Sequence, residues 1–167
     1  VGGIAWAPAL RDLGLNLCAI DLRAHGQSEG RFTTGGYHER HDLSQLLDQL
    51  QRDRPAAMGH IILFGVSHGA AVALATADMR PDIDAVILES PYRDFKTAGR
   101  THAFQMGMPL VSLHGLIGRL AEWISNADFD AVAPVQLIPK IQCPLMLIHS
   151  GDDTLIRPKD AESLKDA

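Results

Sequence analysis

Short, nearly continuous apolar runs alternate along the chain with longer stretches of helical periodicity. The runs lie at residues 15–20, 61–64, 85–88 and 145–149, and such runs are typical of parallel strands that are covered on both faces. Leucines at positions 43, 46, 47 and 50 form one apolar stripe on a helix predicted over residues 37–51. Residues 70–79 are small and apolar, which favours a helix packed closely on a sheet. The alternation predicts an α/β fold with a doubly wound, mostly parallel sheet and helices on both faces.

The longest interval between predicted strands, residues 93–136, is rich in methionine and aromatic residues. We predict two helices here, with the first boundary at Pro109. The apolar residues favour core packing, and a short helical cap over a substrate pocket is the alternative. Further helices are predicted over residues 6–13 and 158–167. The 167 residues make one domain's worth of sequence, so a single domain over residues 1–167 is expected.

The composition and net charge of the chain limit the classes of molecule that it is expected to bind. The chain is 46% hydrophobic and 21% charged, as in ordinary globular proteins, and its net charge of -5 argues against nucleic acid or an anionic membrane surface. No apolar run approaches the ~20 residues of a membrane span. Cys18 and Cys143 lie in apolar runs without metal-ligand spacing and are expected to be buried free thiols. A cytoplasmic location is expected, although a chain that begins with Val1 leaves a removed signal peptide open.

The strongest chemical signal is Gly65-Val66-Ser67-His68-Gly69, which fits G-x-S-x-G between a predicted strand and a predicted helix. In this context the pattern indicates a nucleophile elbow, a strained turn that presents the serine hydroxyl above the sheet edge. Ser67 is the candidate nucleophile, and the backbone N–H of His68 is the candidate oxyanion donor. Gly65 is expected to let neighbouring backbone approach the turn, and Gly69 to let the helix start close to the strand.

A polar loop follows the first predicted strand and carries the first family resemblance. Residues 21–30 read Asp-Leu-Arg-Ala-His-Gly-Gln-Ser-Glu-Gly, which resembles the D-x-R-G-H-G-x-S-x-G loop of the α/β-hydrolase superfamily, with Ala24 in place of a glycine. The continuation to Asp42 resembles the G-Y-x-E-x-x-D segment of a bacterial branch related to serine peptidases and esterases. In that superfamily the loop lies beside the active site, so His25 is expected to make a hydrogen bond that stabilises the loop.

The last predicted strand leads into a second family segment. Residues 143–156 are similar to the P-x-L-x-I-H-G-x-x-D-x-x-V segment in which the superfamily's catalytic acid follows a late strand. The resemblance implies that Asp153 is the acid, with Ile156 in the apolar position after it. Ser150 stands where the family has glycine and Gly151 comes one place later, which leaves Asp152 as the alternative. A carboxylate there would orient the histidine and stabilise its imidazolium form.

The order of catalytic residues in this superfamily is serine, acid, histidine. Every histidine of the chain precedes Asp153. We therefore expect the chain to be truncated after residue 167, before the histidine loop. We expect truncation at the front as well, because the first strands are missing. Val1-Gly2-Gly3 is either the trailing edge of the loop that supplies a second oxyanion donor or lies beyond that loop.

The resemblance implies a serine hydrolase of the esterase, lipase or serine aminopeptidase type. The expected reaction is cleavage of a carboxylic ester, or else of an amide or peptide, through an acyl-enzyme on Ser67, and the fragment alone is expected to be inactive. An acyltransferase, a thioesterase and a non-catalytic binding or interaction module are the alternatives. The expected partner is a small ester or peptide, with no nucleic acid, metal or organic cofactor. The sequence gives no prediction of oligomeric state.

Overall fold

The computed structural model describes residues 2–108 and 113–167. Three parallel strands form one sheet in the spatial order β1-β2-β3, with β1 at Ile62–Val66, β2 at Ala85–Glu89 and β3 at Leu145–Ile148. The α-helices are α1 (Ala7–Asp12), α2 (Glu39–Asp53), α3 (His68–Met79), α4 (Phe95–Gln105), α5 (His114–Ser125), α6 (Pro134–Leu137) and α7 (Pro158–Lys165). Short 3₁₀ turns lie at Gly2–Trp6, Pro55–Ala57 and Ile138–Lys140. The predicted α/β class with a parallel sheet is confirmed.

Side chains of the strands alternate between a deeply buried and a half-covered face. Leu63 pairs in register with Val86, and both are buried, whereas the neighbouring Phe64 is only half-buried. This is the two-residue period expected of strands. On the half-covered face the Gly2–Trp6 turn brings Trp6 edge-on against Phe64, with ring centroids 6.0 Å apart.

The buried face of the sheet is packed against α3. This helix is buried from Ala70 through Thr76, because its small residues let it lie close to β1 and β2 while α2 covers its outer side. Leu47 of α2 enters the same core, as the leucine stripe predicts, and so does Leu137 of α6, which packs on α3. The predicted helices over residues 37–51 and 70–79 are thus confirmed within two residues at each end.

The first predicted strand is wrong. Residues 15–20 form neither helix nor strand, and Leu15, Leu17 and Ile20 are more than one third exposed. An apolar run reports a preference for burial, but a strand also needs a neighbour that accepts its backbone hydrogen bonds. None of the described strands pairs with this segment. As a consequence Cys18 is exposed, which contradicts the expected buried thiol, while Cys143 is half-buried.

The core-packing interpretation of residues 93–136 is also wrong for α4 and α5, neither of which has a fully buried residue. Trp123 is 79% exposed, and Phe104 and Leu116 are each 66% exposed. The two predicted helices are present, but the boundary predicted at Pro109 lies outside the described residues. None of the helices in the described part of the chain is long and apolar enough to cross a membrane.

Candidate active site

Ser67 occupies the turn between the last residue of β1 and the first residue of α3. Its backbone has φ of 52° and ψ of -113°, a conformation that non-glycine residues rarely adopt and that costs about 1–3 kcal/mol. The residue is half-buried, and its N–H donates to the carbonyl of Glu89 at 2.8 Å. Its own carbonyl accepts from the N–H of Ala70 at 3.0 Å, which starts the helix. The turn is therefore strained, and hydrogen bonds on both sides hold it.

The two glycines of the motif have different surroundings. A Cβ on Gly65 would collide with the backbone carbonyl of Gly69, so the close approach of strand and helix requires glycine at position 65, as expected. The expectation for Gly69 is wrong, because a Cβ there would meet no described heavy atom within 4 Å apart from its chain neighbours and the backbone of its own helix. It is the strand side of the turn, not the helix side, that lacks room for a side chain.

The side chain of His68 points away from Ser67 into a polar network. Its Nε2 lies 2.6 Å from Thr33 Oγ1, and its Nδ1 lies 3.3 Å from the Tyr92 hydroxyl. The His25 ring stacks on it with centroids 5.9 Å apart. Its backbone N–H lies in the first turn of α3, where N–H groups have no partner within the helix. This N–H is therefore available beside Ser67.

Asp153 lies in the loop after β3, half-buried and tied to the backbone. Its Oδ1 accepts from the N–H groups of Leu155 and Ile156, both at 2.9 Å. Burial raises the pKa of Asp153, but these two N–H groups, a hydrogen bond from Ser90 and the nearby His149 outweigh it, so the net pKa lies below its ordinary value. Asp153 is thus a carboxylate with a fixed orientation.

The alternative acid, Asp152, is placed differently. Its side chain is exposed, and its backbone N–H donates to Ser150 Oγ at 3.3 Å. No described donor holds its carboxylate. Of the two neighbouring aspartates, Asp153 is the one with a fixed carboxylate.

The sheet topology brings Ser67 and Asp153 to the same edge. Both follow the carboxyl ends of parallel strands, β1 and β3, with β2 between them. Adjacent strands lie about 4.8 Å apart, so two strand spacings are on the order of 10 Å. Ser90 follows β2 between them, and its N–H donates to the carbonyl of Ile148 at 2.8 Å. The edge is a continuous row of strand ends that carries two serines and an aspartate.

Helix α4 extends along this edge from the serine to the acid. At its first residue the Phe95 ring lies 6.1 Å from the His68 ring, and at its last residue Gln105 Nε2 donates to the carbonyl of Thr154. The exposed apolar residues of α4 therefore lie on a helix next to the candidate site, and α5 is the next helix along the chain.

The loop over residues 21–30 is ordered by its own polar side chains. Arg23 makes a bidentate ion pair with Asp42, with both distances 2.6 Å. His25 Nδ1 lies 2.9 Å from the carbonyl of Arg23, which agrees with the predicted loop-stabilising hydrogen bond. Ala24 has φ of 59°, so this alanine adopts the left-handed conformation that favours glycine.

Several polar residues of the site were missed by the sequence interpretation. Glu39 has no exposed surface, and its carboxylate accepts from the N–H and hydroxyl of Thr34, the N–H of Gly36 and the hydroxyl of Thr33. Burial raises the pKa of Glu39, but these hydrogen bonds outweigh it and the net pKa is lowered. The sequence feature that could have indicated this buried carboxylate is a glutamate on the leucine-rich face of α2.

His149 and Ser90 were also missed as partners of the acid. His149 Nε2 lies 2.9 Å from the carbonyl of Ile156 and 3.8 Å from Asp153 Oδ2. Ser90 has φ of 46°, a strained value like that of Ser67. Neither residue type stands out in the sequence, because both contacts depend on how the loop after β3 folds back.

None of the described hydrogen bonds joins a histidine ring to the Ser67 hydroxyl. The rings of His25, His38, His60, His68 and His149 contact other groups. An acidic group of Glu122, Asp128 and Asp130 lies near the end of α5, where Lys96 Nζ contacts Glu122 at 3.1 Å and Asp130 at 2.7 Å. The lysine ammonium thus occupies the position that a cation would take.

The sequence model of the serine aminopeptidase S33 family matches residues 5–133. The chain belongs to the serine aminopeptidase S33 family. This places it in the α/β-hydrolase superfamily, as the motifs indicate. Over 157 residues this S33 chain is 32% identical to the uncharacterized protein YqkD of Bacillus subtilis, covering 92% of the chain and 51% of that protein.

Two further relatives of the S33 chain carry functional names. The lysophosphatidylserine lipase ABHD12 of Danio rerio is 29% identical over 149 residues, which is 88% of the chain and 38% of that protein. The structure of the Pyrococcus furiosus esterase Pf2001 superposes with a TM-score of 0.71 at 26% identity, covering 94% of the chain and 57% of that structure. The S33 chain thus spans about half the length of the relatives that it matches, and it is esterase-like and lipase-like in fold and family.

Proposed function

We propose that the protein containing this chain is a serine hydrolase that cleaves a carboxylic ester through an acyl-enzyme on Ser67. The observation that carries this proposal is the position of Ser67 in a strained turn from strand to helix, beside a free N–H at the start of α3. In the proposed reaction the Ser67 oxygen attacks the ester carbonyl and its proton passes to a histidine. The C–O bond to the alcohol breaks, and the alcohol leaves with that proton. Water then cleaves the acyl-enzyme to give the acid and free Ser67.

The N–H of His68 would stabilise the negative oxygen of each tetrahedral intermediate. It lies at the N-terminal end of a 12-residue helix, where the unpaired N–H groups and the helix dipole favour negative charge. Loss of one such donor typically slows acyl transfer by about 10²–10³-fold.

Asp153 would orient the imidazole and stabilise its charged form. Its place at the same sheet edge as Ser67, its lowered pKa and its fixation by two backbone N–H groups support this role. The base itself is proposed to be a histidine outside the described residues, because five of the histidine rings contact other groups and none is hydrogen-bonded to Ser67.

We propose that the enzyme recognises its substrate by an apolar acyl or alcohol group. The exposed Phe104 lies on α4, which begins beside His68 and reaches the Asp153 loop. The exposed Leu116 and Trp123 lie on α5, which the ion pair between Lys96 and Glu122 joins to α4. Pockets for small molecules are lined mainly by such side chains, so α4 and α5 are proposed to form a cap. The names of two relatives, an esterase and a lysophosphatidylserine lipase, favour an ester over a peptide.

Pre-steady-state kinetics of the complete protein test this function. With a p-nitrophenyl ester, the acyl-enzyme predicts a burst of nitrophenolate with an amplitude of about one per protein, followed by slower turnover. Ser67→Ala should abolish the burst, while Ser163→Ala on α7 serves as the matched control and should retain it. A burst of unchanged amplitude in Ser67→Ala would reject the proposal.

A further inference from the structure

The residue after the candidate nucleophile has a side chain that the proposed reaction does not use. His68 is held between Thr33, 35 positions earlier in the chain, and Tyr92, 24 positions later. Thr33 belongs to the loop before α2, and Tyr92 belongs to the segment after β2. The imidazole therefore connects two loops to the turn that carries Ser67.

The direction of each hydrogen bond follows from the number of available hydrogens. Thr33 Oγ1 donates its single hydrogen to the Glu39 carboxylate at 3.2 Å, since an ionised carboxylate only accepts. The Thr33 oxygen must then accept at its 2.6 Å contact, so Nε2 of His68 carries the hydrogen. The neutral imidazole leaves Nδ1 as an acceptor for the Tyr92 hydroxyl.

Burial keeps the His68 ring neutral, as this pattern of hydrogen bonds requires. Burial lowers the pKa of His68, the Glu39 carboxylate raises it, and the stacked His25 lowers it, with a net direction downward. Burial also raises the pKa of Tyr92, so its hydroxyl stays a donor. A protonated ring would turn a donor toward the Tyr92 hydroxyl, which would then have to direct its own hydrogen elsewhere in a buried site.

We infer that His68 is a positioning residue: the chain of hydrogen bonds from Tyr92 through His68 and Thr33 to Glu39 holds the strained turn so that Ser67 and the His68 N–H keep their relative orientation. This inference rests on the proposed role of Ser67 as nucleophile. A turn with φ of 52° persists only where its surroundings hold it, and the buried Glu39 is the fixed end of this chain.

The tautomer of His68 tests the hydrogen-bond chain without any need for activity. Nitrogen-15 NMR of the imidazole, assigned with His68→Gln, should show that the neutral ring carries its hydrogen on Nε2, and the protonated fraction at pH 6.5 should be smaller than in an ordinary histidine. Thr33→Val should convert this signal to a mixture of tautomers, whereas Thr33→Ser should preserve it. A neutral ring with its hydrogen on Nδ1 would overturn the inference.

The labelling rate of Ser67 by a fluorophosphonate tests the positioning role in the complete protein. Thr33→Val and His68→Ala both keep the backbone N–H of residue 68, and each should slow labelling about 10- to 100-fold. The double variant should be labelled no more slowly than His68→Ala. Thr33→Ser should restore the rate, and Thr97→Val and His41→Ala are exposed controls that should not change it.

Rates in Thr33→Val and His68→Ala that equal the wild-type rate, or losses that multiply in the double variant, would overturn the positioning role while leaving the proposed function intact. Absence of labelling at Ser67 in the wild-type protein would overturn both. If circular dichroism shows that Thr33→Val does not fold, Tyr92→Phe is compared with the control Tyr37→Phe. Labelling should be slower in Tyr92→Phe, and equal labelling rates in the two variants would contradict the inference.

Discussion

Ser67 donates its backbone N–H to the carbonyl of Glu89, 2.8 Å away at the end of the adjacent strand. The next residue along, Ser90, repeats the arrangement with the carbonyl of Ile148 at the end of β3. Both serines have positive φ, 52° and 46°. The strands β1 and β2 are thus each followed by a strained serine that donates a hydrogen bond to the next strand, and this links the position of the candidate nucleophile to that of the loop carrying Asp153.

The two motif glycines should respond oppositely to alanine. Gly65→Ala places a methyl group against the carbonyl of Gly69, so we expect a loss of several kcal/mol in unfolding free energy or failure to fold. Gly69→Ala meets no described atom and removes a glycine from a helix, so a gain of about 0.5–1 kcal/mol is expected. Urea unfolding measures both, and equal effects of the two substitutions would contradict the described packing.

Ala24→Gly should stabilise the chain. Alanine at φ of 59° is strained, and glycine adopts this conformation freely, although it also gains freedom in the unfolded state. We expect a net gain of about 0.5–1 kcal/mol in unfolding free energy. Ala127→Gly, at a residue without positive φ, is the control and should destabilise. A loss of stability in Ala24→Gly would show that the loop adopts another conformation.

Asp153→Asn should slow ester hydrolysis by the complete protein about 10³–10⁴-fold, because an amide neither selects the correct histidine tautomer nor stabilises the imidazolium. Asp152→Asn, one residue away and exposed, should remain within about twofold of wild type. Steady-state kcat/KM for one ester measures both. The reverse pattern would assign the acid to Asp152.

Stability should fall as the solution becomes acidic, in part through His68. Its folded-state pKa is lowered, so below about pH 6.5 the unfolded state binds more protons than the folded state, and unfolding free energy decreases as pH falls. The lowered pKa of Glu39 adds a loss with the same sign at lower pH. His68→Gln should flatten the dependence between pH 7 and 5 relative to His41→Gln. Parallel curves for the two variants in urea unfolding would contradict this.

Polar substitutions on α5 should change substrate preference more than stability. Trp123→Ser removes a side chain that is 79% exposed, so its effect on unfolding free energy should stay within about 0.5 kcal/mol, whereas Leu137→Ala in the core should lose about 2–5 kcal/mol. If α5 caps the site, Trp123→Ser should raise KM for a long-chain ester and leave a short-chain ester unchanged. A large loss of stability in Trp123→Ser would indicate that the Trp123 face of α5 is buried against other residues.

Local sequence patterns predicted those structural elements that depend on residues close together in the chain. The strand-to-helix context of Ser67, the leucine stripe of α2 and the loop that carries Asp153 all depend on residues close together in the sequence. The strand predicted over residues 15–20 was wrong because hydropathy does not show which neighbouring strand will accept its backbone hydrogen bonds. The contact of His68 with Thr33 could not be predicted, because it depends on a loop 35 positions away. The exposure of Trp123 was missed for a similar reason, since periodicity does not say what covers a helix.

Peptide mapping of the complete protein after reaction with a fluorophosphonate tests the central claim most directly. We expect one phosphonylated residue, Ser67, with the adduct lost in Ser67→Ala and retained in Ser163→Ala. An adduct on a different serine, or undiminished labelling of Ser67→Ala, would contradict it.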